Sequence, residues 1–207
     1  EDVILKKENA QNLLKQSNAL MIRTTSNFDC SEKESEWFAL ICEKFTHLDE
    51  MSSKYRYEIN KGLKKCEVKK INTEDFAKEG YECYINTVNK YKNNKMHIMS
   101  RKEFENRILC SENLENINQF WGAYADNKLV AYAIVYLYEG ECSYDVFKIR
   151  PEYLKFFPMY ALLYKMNEHY LGQEKFDFVK AGFRSLLHDT SVQDFLIKKF
   201  GFRKAFM

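Results

Sequence analysis

Three apolar segments in the second half of the chain predict neighbouring β-strands. FWGAYA (residues 120–125), KLVAYAIVYLY (128–138) and ECSYDVFKI (141–149) are rich in β-branched and aromatic residues, which favour strands. The pairs Asp126-Asn127 and Glu139-Gly140 separate them, and both pairs suit two-residue hairpin turns. The pattern therefore predicts a three-stranded antiparallel meander.

Apolar residues also recur at helical spacing on both sides of the meander. From Met51 to Leu63 an apolar residue returns every four positions, which predicts a helix within residues 49–65. A capping box, Ser100 to Glu103, begins another helix, and Gly172 is predicted to end a third. The predicted helices cover residues 9–17, 49–65, 72–93, 100–110, 159–171 and 191–200.

Shorter runs predict strands outside the meander, at residues 19–25, 36–45, 66–71, 175–182 and 202–206. The segment 175–182 follows the meander after a single helix. A strand, a helix and a second strand in this order predict a right-handed crossover with 141–149 and 175–182 parallel.

Composition narrows the class of protein. A chain of 207 residues with a formal charge of +2 fits one domain, or one domain with an extra lobe, and gives no global indication of nucleic-acid or membrane binding. The six cysteines form no C-x-x-C pair and the histidines show no metal spacing, so we expect free thiols, no metal and a cytoplasmic location. No apolar run reaches the ~18 residues of a membrane span, and the first residues show no signal peptide.

The order of elements from residue 66 onward resembles a known superfamily. Strand, two helices, meander, helix, strand, helix and strand, with the ending KKFGF at 198–202, is similar to the GNAT superfamily of N-acyltransferases. The resemblance covers about two thirds of the chain. It implies an α+β fold with a mixed α/β sheet, a GNAT-like acyl-CoA N-acyltransferase fold with an N-terminal partial lobe. We predict the lobe at residues 1–65 and the GNAT-like domain at 66–207.

Two further stretches resemble one branch of that superfamily. SSKYRYEINKGLKK (52–65) and AGFRSLLHDTSVQDFLIKKFGF (181–202) look like the Fem-type peptidoglycan aminoacyltransferases and their GNAT-like relatives. This resemblance implies aminoacyl-tRNA as an alternative donor to acyl-CoA.

The resemblance also implies where a donor binds. In the GNAT fold the strands corresponding to 141–149 and 175–182 splay apart, and free backbone groups hold the pantetheine arm of acyl-CoA. The donor-binding candidates are Val146, Phe147, Lys148, Ile149, Arg150, Arg184 and Ser185. The family's glycine-rich pyrophosphate loop is missing from IRPEYLKFFPMYALL (149–163), and Ile197 stands where many members carry a tyrosine acid. Arg150 or Lys155 remains as a phosphate contact.

Three residues are candidates for proton transfer. Tyr144 and Asp145 lie on the strand where acyltransferases place a base near the acceptor amine, and strand alternation predicts that at most one faces the cleft. His188 follows the crossover strand, and histidine is the side chain best suited to acid or base work near neutral pH. In the plainer interpretation, one of Tyr144 and Asp145 packs in the core and the other is a surface residue. His188 then lies on the surface beside a helix cap.

The leading functional hypothesis is transfer of an acyl or aminoacyl group to a small-molecule or peptide amine, with tRNA as a candidate donor. The alternative is a non-catalytic GNAT-like binding module, suggested by the missing glycines and by Ile197. A third hypothesis, a nucleic-acid binder, depends on the lysines and arginine between residues 54 and 70.

Overall fold

The computed structural model describes residues 6–22, 24, 26–30, 36–90, 97–111, 117–184 and 191–207. The helices are α1 (Lys7–Ser17), α2 (Ser53–Lys65), α3 (Thr73–Val88), α4 (Arg101–Leu109), α5 (Pro158–Asn167) and α6 (Ser191–Phe200). The strands are β1 (Phe38–Cys42), β2 (Glu67–Ile71), β3 (Asn118–Ala125), β4 (Lys128–Tyr138), β5 (Glu141–Ile149), β6 (Val179–Phe183) and β7 (Arg203–Phe206).

All seven strands form one mixed sheet in the order β2-β3-β4-β5-β6-β1-β7. The β5–β6 pair is parallel and the other neighbouring pairs are antiparallel. Strands β3, β4 and β5 form the predicted meander. Its turn residues Asp126, Asn127, Glu139 and Gly140 all have positive φ, as turns with a primed backbone require.

The sheet is covered on both faces, and each face has its own apolar core. Helices α2 and α5 pack together on one face, where Leu162, Met166 and Tyr170 are fully buried. Helices α3 and α4 cover part of the other face, where Phe76 stacks on Phe120 with ring centroids 4.4 Å apart. No helix in the described ranges is long and apolar enough to cross a bilayer.

β1 lies between β6 and β7, next to one edge of the sheet. Its residues Phe38–Cys42 are all buried, and the strand pairs with β6 on one side and with β7 on the other. A strand that the sequence assigned to an N-terminal lobe therefore belongs to the common sheet. The domain division at residue 65 stays a prediction.

Two local predictions were wrong. The strand expected at residues 19–25 does not form in the described part of that stretch, where Leu20 and Met21 are exposed and have no strand neighbour. Gly172 does not end α5, because the chain continues as a π-helical turn over Glu168–Gln173 and first takes a left-handed conformation at Lys175.

Candidate functional site

Strands β5 and β6 separate after a short parallel contact. Only Cys142 and Ser143 have partners on β6, namely Val179 and Lys180, whereas β5 continues to Ile149. β6 turns toward β1 at a bulge that contains Gly182 (φ +72°), and the space beside its Cα is open. The splayed parallel pair expected from the resemblance is therefore present.

The free edge of β5 exposes backbone groups to this gap. Arg150 N–H bonds to the Val130 carbonyl on β4, and antiparallel pairs alternate, so the Phe147 and Ile149 groups point away from β4. The Thr87 hydroxyl on α3 holds both Ile149 groups, at 2.9 Å from the carbonyl and 3.3 Å from the nitrogen. Phe147 is therefore the position from which the strand offers a donor and an acceptor to the gap.

Asp145 lies on the opposite side of the sheet from Tyr144, and a bulge in β5 leaves Val146 on the same side as Asp145. Val146 pairs with Ile134 and Tyr144 with the adjacent Val135, which leaves Asp145 as the extra residue. Tyr144 is fully buried against α5, and its hydroxyl donates to Asn167 Oδ1 at 3.0 Å. Asp145 instead joins Val146 and Lys148 in the wall of a cleft.

The cleft lies between α3, α4 and strands β3–β5 and has a volume of about 650 Å³. Phe104, Phe120 and Tyr132 form its apolar floor. Arg107 on α4, Asp145 on β5 and Tyr136 on β4 bring polar groups to its walls. The volume suits a small organic ligand, and the lining combines an apolar base with a few polar groups, as ligand sites commonly do.

The cleft changes the proton affinity of its acids. Reduced solvation raises the pKa of Asp145 above its ordinary value, although the positive charge of Arg107 acts in the opposite direction. The pKa of Tyr136 is raised, mainly by its burial and to a smaller extent by the nearby charge of Asp145. Water still reaches the Asp145 carboxylate from the open side of the cleft, so its chemistry suits a general base.

The N-terminus of α5 fits the pyrophosphate of CoA poorly. Pro158 has no N–H and the Tyr160 amide already bonds to the Phe157 carbonyl at 3.1 Å, so in the first turn only the Met159 amide keeps no bond within the described structure. Helix α2 also covers the Phe157 carbonyl, because a Cβ on Gly62 would lie 2.6 Å from it. One free amide holds an anion less well than the several that an open helix N-terminus offers.

The remaining donor-binding candidates have separate environments. Phe147 and Ile149 pack into the core on the α5 side, while Arg150 precedes a 3₁₀ segment (Pro151–Phe156) with its buried Nε unpaired among the described residues. Arg184 donates to the Glu36 carbonyl at 3.0 Å and lies 3.2 Å from its carboxylate. Ser185 and His188 lie outside the described residues, and their roles stay predictions.

The basic stretch of α2 and β2 is partly engaged in the fold. Lys61 lies over the Phe157 ring, Lys69 over Tyr124 and Lys70 over Trp121, at 5.0, 4.6 and 5.6 Å from the ring centroids. Burial lowers the pKa of Lys70. These contacts give the lysines structural roles, and nucleic-acid binding by this stretch stays a prediction.

Sequence reasoning missed the α4 wall of the cleft. Phe104, Arg107, Ile108 and Ser111 follow i, i+3, i+4, i+7 spacing and all line it. The helix was predicted from its capping box alone, whereas an arginine among apolar residues at this spacing was the signal of a site.

Comparison by sequence finds no protein-family model and no curated protein that matches the chain. Comparison by structure finds similar solved proteins. FemX has a TM-score of 0.60 and 12% identity over 99% of this chain and 68% of that chain. The C-terminal domain of a putative lysylphosphatidylglycerol synthetase from Agrobacterium fabrum has a TM-score of 0.52 and 14% identity over 70% of this chain and 46% of that chain.

An acetyltransferase from Thermus thermophilus has a TM-score of 0.50 and 9% identity over 66% of this chain and 86% of that chain. Identities this low establish likeness of fold alone. Together with the mixed seven-stranded sheet and the splayed β5–β6 pair, they confirm the resemblance: this chain has a GNAT-like fold, and FemX is among its structural neighbours.

Proposed function

We propose that this chain transfers an acyl or aminoacyl group from an ester or thioester donor to an amine bound in the cleft. The observation that carries the proposal is the position of Asp145, which lines the cleft two residues before the free backbone edge at Phe147. A base for the acceptor and hydrogen-bonding groups for the donor therefore lie on the same strand.

The reaction needs a deprotonated amine and a polarised carbonyl. Asp145 accepts a proton from the acceptor ammonium, directly or through water, and the proton then passes to solvent. The amine nitrogen attacks the donor carbonyl carbon, a C–N bond forms, and the ester or thioester bond breaks. The leaving alcohol or thiol takes up a proton. Phe147 N–H orients the donor at the β5 edge, so positioning is the main contribution of the protein.

Two donor classes suit this reaction, an acyl-CoA thioester and an aminoacyl-tRNA ester. The shortage of free amides at the N-terminus of α5 favours the ester. Likeness to FemX agrees with this preference at the level of fold.

A non-catalytic binding module is the second candidate. The same N-terminus of α5 favours it, because a GNAT-like fold with a weak anion site there can retain a ligand cleft without a reaction. Under this alternative the cleft binds an amine, but neither donor class is consumed.

The test is label transfer by the purified protein. Radiolabelled acetyl-CoA and a radiolabelled aminoacyl-tRNA pool are each incubated with a mixture of amino acids, diamines and short peptides. We expect amide-bound label, lowered about 10²–10⁴-fold by Asp145→Asn. Asp194→Asn, an exposed acid on α6 outside the cleft, serves as the control and should keep full activity. No label in amide form with either donor would support the binding module instead.

A further inference from the structure

Opposite charges line the same cleft without forming an ion pair. Arg107 belongs to α4 and Asp145 to β5, and the positive charge of Arg107 acts to lower the pKa of Asp145. In the described part of the chain Arg107 has no carboxylate within ion-pair distance, and its one side-chain contact of hydrogen-bond type is with the Met99 sulfur at 4.0 Å. Asp145 likewise has no hydrogen-bonded side-chain partner there.

Both side chains are exposed, so a ligand in the cleft can reach them. Two opposite charges that line one cleft without pairing are complementary to a ligand that carries both charges. A guanidinium recognises a carboxylate bidentately, and a carboxylate accepts hydrogen bonds from an ammonium.

The floor of the cleft is apolar and aromatic. Phe104, Phe120 and Tyr132 are buried in it, and Ile108 and Ile134 complete it. A ligand held by both charges therefore places its apolar part on this floor. Lys148 and His97 also line the cleft.

We propose that the acceptor carries both an ammonium and a carboxylate, with the ammonium at Asp145, the carboxylate at Arg107 and an apolar or aromatic side chain on the floor of the cleft. This class includes amino acids and short peptide fragments with apolar side chains. Naming the ligand an acceptor rests on the proposed transfer function, but its binding can be measured without any donor.

Three probes of nearly the same shape distinguish the contributions of the two charged groups. L-phenylalanine has both groups, 2-phenylethylamine lacks the carboxylate and 3-phenylpropionate lacks the amine. In a ligand-observed NMR titration of the whole chain we expect L-phenylalanine to bind at least about tenfold more tightly than either analogue. Arg107→Gln should remove its advantage over 2-phenylethylamine, and Asp145→Asn its advantage over 3-phenylpropionate.

The control is Lys102→Gln, an exposed residue on α4 that does not line the cleft, and it should bind all three probes like the wild type. Equal binding of the three probes, no saturable binding of L-phenylalanine, or an unchanged preference in Arg107→Gln would overturn the proposal. The predicted preference without label transfer would leave this inference standing and reject catalysis. Label transfer without the preference would do the reverse.

Discussion

Asp145 is held in an environment that favours its charged form less than water does. Its folded-state pKa lies above the ordinary value of 3.8 because the cleft reduces its solvation. Between those two pKa values the folded protein binds more protons than the unfolded chain, so stability falls as pH rises through this window. Charged Asp145 therefore costs stability at neutral pH, which is common at functional sites.

The first prediction follows from that sign. Asp145→Asn should melt at a higher temperature than the wild type at pH 7. The gain in free energy of unfolding should be less than about 1 kcal/mol, because solvent screens the site. The difference should vanish below the ordinary pKa of 3.8, where both side chains are neutral. Thermal melts from about pH 3 to pH 8 measure it, and a lower melting temperature for the variant at pH 7 would contradict it.

The second prediction separates Tyr144 from the site. Tyr144→Phe removes the hydrogen bond to buried Asn167 and should cost about 1–3 kcal/mol of stability. Binding in the cleft should change by less than about threefold, since the hydroxyl lies on the other face of the sheet. Denaturant unfolding and the NMR titration report the two effects. Tyr136→Phe is the matched control, with little effect on stability because Tyr136 is partly exposed.

At the scale of elements, the strand β5 shows what an apolar pattern can reveal. The run 141–149 identified the strand and its place in the meander, and alternation put Tyr144 and Asp145 on opposite faces. The bulge at Asp145 could not be predicted, because it depends on the register against β4 and leaves no local pattern. The sequence therefore indicated the residue, but not that Val146 faces the same cleft.

The contact between α2 and α5 supplies the third prediction. Glycine to alanine in a helix usually stabilises by about 1 kcal/mol. At Gly62 the new methyl would meet the Phe157 carbonyl at 2.6 Å, a clash with backbone that must separate the helices. We expect Gly62→Ala to lose about 1–3 kcal/mol in chemical denaturation.

Gly172→Ala is the control, because its methyl would meet the Phe45 ring at an ordinary 3.5 Å. It should leave stability unchanged or slightly higher. Equal stability of the two alanine variants would mean that α2 and the N-terminus of α5 can move apart at little cost, and would contradict the prediction.

At the scale of the whole molecule, an ion pair joins α2 to α6. Lys199 Nζ lies 2.8 Å from Glu58 Oε2 and 4.0 Å from the centroid of Tyr55, and both charged side chains are mostly buried. Burial alone would lower the pKa of Lys199, but the hydrogen bond to Glu58 and the neighbouring tyrosines raise it overall. The pair therefore connects segments far apart in the sequence.

The fourth prediction compares two neighbouring lysines on α6. Lys199→Met leaves Glu58 without its partner and should cost about 1–3 kcal/mol. Lys198→Met breaks an exposed pair with Asp194 and should change stability by less than about 0.5 kcal/mol. Melting temperatures of both variants decide the matter, and similar losses would show that the α2–α6 pair contributes no more than a surface contact.

The overall arrangement was only partly predictable from the chain. Period and turn residues gave the meander, the crossover and the closing helix and strand, because those signals are local. The position of β1 between β6 and β7 was not predictable, since strand partners distant in sequence leave no local trace. The cleft was not predictable for the same reason, because Arg107 and Asp145 come to line one cleft only when α4 packs on the sheet.

The position of β1 also has a consequence for protein synthesis. Glu43, next to β1, and Arg203 on β7 are 160 residues apart. At about 5–20 residues per second, a ribosome delivers β7 roughly ten to thirty seconds after β1. During that interval the segment FALIC, five apolar residues without a charge, has left the ribosome but lacks its partner strand β7. We expect nascent chains of this protein to depend on chaperones that hold exposed apolar segments until translation ends.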